Sequence, residues 1–351
     1  MTNEGLQQSK TEHDGAPQPN HPPRISVTNA PREWGIPAQA EKDKQRQEVA
    51  SKVVDYIAGN ERFMDQDIRV TFAEKGASSL VSIIETPKEK VVLKITLDKR
   101  QGEREFLEVW KREGVAVPDI LEGGLIDNEY PFTLMEFIDA KTLDANHTYD
   151  ELVQGEAYVE LGKTLRIMHR PIAEGYGAFV DGHGEFGTFT DYLQESKYVK
   201  DRTAYVEENH VLDDTHGSLA IAKDVLTAHV GMNPQSSYCH GDFDACNIFD
   251  TKPLTVFDPG MFINNGYLDL GLAIAIALTQ RNDAAAAEQL IEGYFGDGQY
   301  DAAALHAAIL FNSYFKLAGA HERRVGDEAR RDQQIERVRK YLIQKRHLLT
   351  A

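Results

Sequence analysis

Three residues, an Asp, an Asn five positions on and a second Asp beyond a short hairpin, are the ones in this chain best spaced to do chemistry. They occur in His240-Gly241-Asp242-Phe243-Asp244-Ala245-Cys246-Asn247 and in Val256-Phe257-Asp258-Pro259-Gly260, with Asp258 eleven positions past Asn247. A carboxylate such as Asp242 can orient or deprotonate an attacking hydroxyl. An amide oxygen and a second carboxylate oxygen suit a hard cation such as Mg2+ that keeps phosphate oxygens among its ligands. If two short strands bring the three to one point, the chemistry is phosphoryl transfer to a hydroxyl. Asp is also a common turn residue, but turns alone do not ask for three residue types at this spacing.

The pattern resembles the H-R-D-x-x-x-x-N and D-F-G segments of protein kinases. Here Gly241 replaces the Arg and Asp258-Pro259-Gly260 stands for D-F-G. In that form it resembles the aminoglycoside phosphotransferase and choline kinase group, small-molecule kinases whose signature is His-Gly-Asp-x-x-x-x-Asn with a later metal-binding Asp. The resemblance covers about Ile68 to Ala320, is specific at the base and metal residues, and is weak over the acceptor helices. It implies an α+β, two-lobed protein-kinase-like fold. Residues 1–40 would be a disordered tail, 41–138 a small antiparallel β-rich nucleotide lobe, and 139–351 a larger, mostly helical catalytic and acceptor lobe. It further implies Asp242 as the catalytic base, Asn247 and Asp258 as Mg2+ ligands, ATP or GTP as donor, and a hydroxyl of a small molecule as acceptor. Aminoglycosides, choline-like amines, sugar amines, homoserine and macrolides all have kinases of this general type. Two rivals are a protein kinase, disfavoured by Gly241 and by the lack of an A-P-E segment after Asp258, and a catalytically silent binding module.

The elements that must position these groups can be read along the chain. Ile68–Phe72, Leu80–Thr86 and Val91–Ile95 predict three antiparallel strands. The turn at 74–79 between the first two would cover the nucleotide phosphates, with Gly76, Ser78 and Ser79 small enough to let backbone N–H groups approach. Lys94 interrupts an apolar strand, where an unpaired ammonium is costly. By the resemblance it grips the α- and β-phosphates and is held by a Glu on the following helix, Glu103 to Trp110. Glu105 fits best by its spacing to Pro118, with Glu103 as the fallback. Pro131–Ile138 predicts a strand leading into a hinge, where the resemblance places adenine against the Glu136 carbonyl and the Ile138 amide. The larger lobe opens with one helix from about Asp150 to His169, striped by Tyr158, Leu161, Leu165 and Met168. Gly175 to Gly184 is a structural loop in the resembling enzymes, and it lacks G-x-G-x-x-G after a strand, which excludes a dinucleotide site. By the resemblance, Asp269 caps the next helix and supports the catalytic loop, with a role near the acceptor as the alternative. Two further helices are expected at 301–318 and 327–349, the last with a basic, solvated face.

Composition sets the outer limits. With 351 residues and 41% hydrophobic side chains, the chain can build two lobes around one cleft. The first 40 residues hold Pro17, Pro19, Pro22 and Pro23 and few large apolar side chains, too little to offset the entropy of ordering them. Trp34 and Ile36 could dock locally. The formal net charge of −18 argues against a nucleic-acid partner, since such proteins present basic faces. It mildly favours a cationic acceptor, and solubility explains it as well. The only cysteines are Cys239 and Cys246, which makes no disulfide framework or zinc spacing and fits a reducing cytoplasm. No signal peptide is visible, and the most apolar run, Leu268 to Leu278, is too short to cross a bilayer.

Overall fold

The computed structural model describes residues 21–33, 40–74, 79–210, 217–281, 283–322 and 328–345. The small lobe contains β1 (Arg24–Val27), α1 (Ala40–Gly59), β2 (Asp67–Phe72), β3 (Ser79–Glu85), β4 (Lys90–Thr96), α2 (Glu103–Arg112), β5 (Ile120–Ile126) and β6 (Tyr130–Glu136). Its strands make one sheet in the order β1-β2-β3-β4-β6-β5, antiparallel except where β1 runs parallel to β2. β2 and β3 alternate buried and exposed residues, as a half-covered sheet requires. The covering element is α1, whose Val49, Val53 and Ile57 stripe joins Phe63 and the strand residues in one core.

β1 corrects the expectation of a disordered tail over the whole of 1–40. Its residues are mostly exposed, so it left no hydrophobic signal in the sequence. It is held instead by backbone pairing, by the exposed Arg24–Asp67 ion pair at 2.7 Å, and by the Asn29 side chain. The Asn29 amide donates to Phe72 O at 2.9 Å and accepts from Phe72 N at 2.8 Å. Trp34 and Ile36 lie outside the described residues.

The larger lobe runs α3 (Leu143–Asn146), α4 (Tyr149–Gln154), α5 (Ala157–Met168), β7 (Ile172–Ala173), β8 (Tyr176–Val180), β9 (His183–Phe186), α6 (Phe189–Glu195), α7 (Lys197–Glu208), α8 (Ser218–Met232), β10 (Ser236–Cys239), β11 (Ile248–Phe249), β12 (Thr255–Val256), β13 (Phe262–Asn264), α9 (Gly266–Ala275), α10 (Ala284–Phe295), α11 (Ala302–Glu322) and α12 (Glu328–Lys345). The helix expected over 150–169 is two helices. Thr148 and Glu151 form a reciprocal cap on α4, and Glu156 in the left-handed region (φ 55°) turns the chain before α5. The Gly-rich stretch is the β8–β9 hairpin, part of a five-stranded sheet ordered β7-β10-β13-β8-β9. α11 is the central column of this lobe, buried along nearly its whole length. α2 belongs to both lobes: Phe106 and Trp110 sit in the same core as Phe179, Phe243 and Met261. No helix among the described residues is long and apolar enough to cross a membrane.

Candidate active site

β10 delivers the chain into His240-Gly241-Asp242, and the loop is fixed from behind by one buried carboxylate. Asp269, in the first turn of α9, accepts His240 N–H at 2.6 Å on Oδ2 and Gly241 N–H at 2.8 Å on Oδ1. His169 lies 3.1 Å from the same Oδ2. Burial pushes the Asp269 carboxyl up, but His169, His240 and the two amides more than reverse that and hold it below the usual carboxylate range. The support expected of Asp269 for the catalytic loop matches this geometry, whereas the cap of α9 is Asn265, whose side chain accepts Tyr267 N–H at 3.0 Å. His240 is fully buried, stacked on Trp110 with ring centroids 5.7 Å apart, and bonded through Nε2 to Phe257 O at 2.9 Å.

Gly241 explains why the kinase Arg cannot stand here. Its φ is +76°, and a Cβ would come within 2.9 Å of the Phe262 ring. That turn projects Asp242 outward, with 56% of its side chain exposed. Asn247 then folds back on it, donating Nδ2 to Asp242 O at 2.8 Å and lying 3.4 Å from Oδ2. With Nδ2 so committed, the Asn247 Oδ1 is the atom left for a cation. β11 and β12 pair Ile248 with Val256, and Phe257 N–H donates to Asn247 O at 3.2 Å. This hairpin therefore sets Asn247 beside the residue that precedes Asp258.

Asp258 adopts φ 59° and reaches across to the small lobe. Its Oδ1 is 2.6 Å from Lys94 Nζ, and the same ammonium is 2.6 Å from Glu103 Oε1. Loss of water pushes the Lys94 ammonium down, while Asp258 and Glu103 together raise it above the ordinary lysine value. Desolvation likewise opposes charge on Asp258, and Lys94, aided by His240 and Arg100, holds it below the usual carboxylate range. Glu103 is 5% exposed and its burial pushes it up, and its Oε2 has no hydrogen-bond partner. Arg100 adds a second tie between the lobes, donating to Gly260 O at 2.8 Å.

The partner of Lys94 is thus Glu103, and the preference for Glu105 is corrected. Glu105 accepts from the Tyr238 hydroxyl at 3.3 Å. Residues two apart on a helix point away from one another. The inward face of α2 is Glu103, Phe106, Leu107 and Trp110, which leaves Glu105 on the flank. Gly76 and Ser78 lie outside the described residues. Ser79 is buried in β3 opposite Thr96. Glu136 closes β6, where its backbone N–H donates to Asp119 O and its carboxylate accepts Asp119 N–H, both at 2.9 Å. Ile138 is half-buried in the linker beyond it.

Several contributors carried no motif. Arg281 sits in a π-helical turn that extends α9, pairs with the buried Asp244 of the loop, and lies over the Tyr149 ring at 4.4 Å. Lys316 of α11 approaches Asp242 Oδ1 at 3.6 Å. A lysine between buried Phe315 and Leu317 was the available signal, and only the packing shows where it points. Both cysteines are free.

The family model described as APH, phosphotransferase enzyme family, matches residues 69–306. The chain belongs to that family. No curated protein sequence matches this phosphotransferase significantly. Its fold is similar to that of aminoglycoside phosphotransferase APH(4)-Ia, at 16% identity and TM-score 0.59 over 84% of this chain and 99% of that one. It is also similar to a putative aminoglycoside phosphotransferase from Ralstonia eutropha JMP134, at 17% identity and TM-score 0.58 over 86% and 98% of the two chains. A choline/ethanolamine kinase family protein from Mesorhizobium loti matches at 14% identity and TM-score 0.56, over 86% and 99%. A thermostable mutant of APH(4)-Ia forms a ternary complex with ADP and hygromycin B. The phosphotransferase therefore has the two-lobed, α+β kinase-like fold that its catalytic-loop pattern implied.

Proposed function

We propose that this phosphotransferase is an ATP- or GTP-dependent small-molecule kinase, moving the γ-phosphate to a hydroxyl. The observation that carries the proposal is the convergence of Lys94, Glu103 and Asp258 across the cleft, with Asp242 and Asn247 on the adjoining loop. The nucleotide complex of APH(4)-Ia supports a nucleotide as donor. Lys94 would bind the donor phosphates, and Glu103 would keep its ammonium in place. Asn247 Oδ1 and the second Asp258 oxygen form a hard, oxygen-only donor set that fits Mg2+. When bound, Mg2+ would neutralise charge on the phosphate oxygens.

Asp242 would orient the acceptor hydroxyl and receive its proton. The hydroxyl oxygen forms a bond to the γ-phosphorus as the bond from that phosphorus to the β–γ bridging oxygen breaks, giving a phosphate monoester and a nucleoside diphosphate. Because the transition state is loose, most of the rate would come from positioning and charge neutralisation. The test is nucleotide consumption and product formation over a panel of amines, sugars, hydroxy acids and proteins, paired with Mg·ATP titrations. Asp258→Ala should abolish Mg2+-dependent nucleotide binding while the fold survives. Unchanged Mg·ATP affinity in that variant would remove Asp258 from the metal site and favour a silent kinase-fold module.

A further inference from the structure

Asp242 faces two ways. Its Oδ2 lies toward Asn247 at 3.4 Å, and its Oδ1 lies toward Lys316 at 3.6 Å. On the Lys316 side a cavity of about 260 Å³ opens beside Gly241. That is below the roughly 300–1,000 Å³ of pockets that enclose drug-sized ligands, so a small molecule fits it best. One wall is aromatic: the half-exposed Tyr198 packs edge-on against Phe315 at 5.4 Å and tilts over Phe262 at 6.3 Å.

Among the described residues, two cations, Lys316 and Arg202, and one carboxylate, Asp269, line this cavity, and the Asp269 oxygens are spent on two amides and His169. Arg202 is held by Glu322 at 2.6 Å. The Lys316 ammonium, 3.6 Å from Asp242, is beyond hydrogen-bond range of it. Its side chain is 20% exposed on a helix that is otherwise apolar at this level. Asp242 is its ion-pair partner at that distance, but its N–H donors make no hydrogen bond among the described residues, and an ammonium so placed costs free energy until an acceptor atom meets those donors.

We propose that the acceptor carries a negative group, as a small hydroxy acid does, and that Lys316 receives that group while Asp242 takes the hydroxyl proton. The inference rests on the kinase reading above. A polyamine or aminoglycoside amine placed here would meet the Lys316 ammonium, Arg202 being already neutralised by Glu322. The apolar body of the acceptor would lie on Tyr198, Phe262 and Phe315. Lys316 is therefore a specificity residue on the acceptor side of Asp242, away from the nucleotide.

Matched acceptors test it: hydroxy acids such as 3-phenyllactate and 4-hydroxybutanoate, their primary amides, the corresponding amino alcohols, and kanamycin. Each is incubated with the full chain and Mg·ATP, and phosphate monoester is read by mass spectrometry. Turnover should concentrate in the acids. Lys316→Ala should lower kcat/KM for the acids by on the order of 10–100-fold, the loss of one charge-assisted contact, mainly through KM, with Lys316→Arg restoring much of it. Lys316→Glu should move preference toward the amines. Arg202→Ala, a surface change, checks the cavity independently and should lower acid turnover less. Melting curves and Mg·ATP affinity should match the parent in each variant. Preference for amines in the parent, or a Lys316 effect equal across all three classes, would overturn the proposal. No transfer to any class by a protein that binds Mg·ATP would overturn the kinase reading and this inference with it.

Discussion

Replacing Glu103 should be far more costly than replacing Glu105, and the difference can be worked from the geometry. Glu103 is 5% exposed and 2.6 Å from Lys94 Nζ. At an effective dielectric of about 20, two charges that close attract by roughly 6 kcal/mol before desolvation is subtracted. Removing one partner of a buried pair typically costs about 3–5 kcal/mol, since the other is left uncompensated. Lys94 keeps Asp258 at 2.6 Å, so Glu103→Ala should fall at the lower end, about 3 kcal/mol. For a chain of this size that is a drop in Tm of about 4 °C, at roughly 1.4 °C per kcal/mol. With Glu103 gone, Lys94 should also lean further onto Asp258, weakening Mg·ATP binding. Glu105→Ala loses one 3.3 Å hydrogen bond from Tyr238, about 1 kcal/mol or less. Thermal denaturation and Mg·ATP titration of both variants decide it. If Glu105→Ala proves the more damaging in either assay, the assignment of α2's inward face is wrong.

Asp242→Asn keeps the size and loses the charge, so kcat should fall about 10²–10⁴-fold while Mg·ATP affinity barely changes; near-parent kcat would remove Asp242 as the base. Deleting residues 1–33 should lower Tm by several degrees, because it strips β1 from the edge of β2 together with the Asn29 bonds; an unchanged melting curve would show that β1 contributes nothing to stability. Folding lowers the Asp269 carboxyl below its ordinary value of about 3.9. Its contribution is then complete above that value and is lost as pH falls through the lower folded value. Asp269→Asn should destabilise the protein near neutral pH and flatten the stability curve over that acid range. An acid-unfolding profile with the parent's slope would contradict this.

What the sequence determined was local. Asp242, Asn247 and Asp258 all fall within residues 242–258, and a hairpin of about a dozen residues joins the last two, so their short spacing carried the signal. Lys94 stood out because an ammonium inside an apolar strand needs a partner. Which glutamate answered it was a question of which face of α2 turns toward β4. The start at Glu103 was legible, but the face turned inward is set by the packing of Phe106, Leu107 and Trp110, which spacing to Pro118 did not fix. β1 was missed because an edge strand held by backbone pairing and Asn29 has no apolar period to read. The break at Glu156 was missed because a single residue in the left-handed region interrupts a hydrophobic stripe without altering it. Lys316, Arg202 and Arg281 come from helices dozens of residues from the loop they serve. Only the packing of α7, α9 and α11 around β10 and β13 brings those charges to Asp242 and Asp244, because the side-chain positions of distant helices are set by tertiary contact and not by chain spacing.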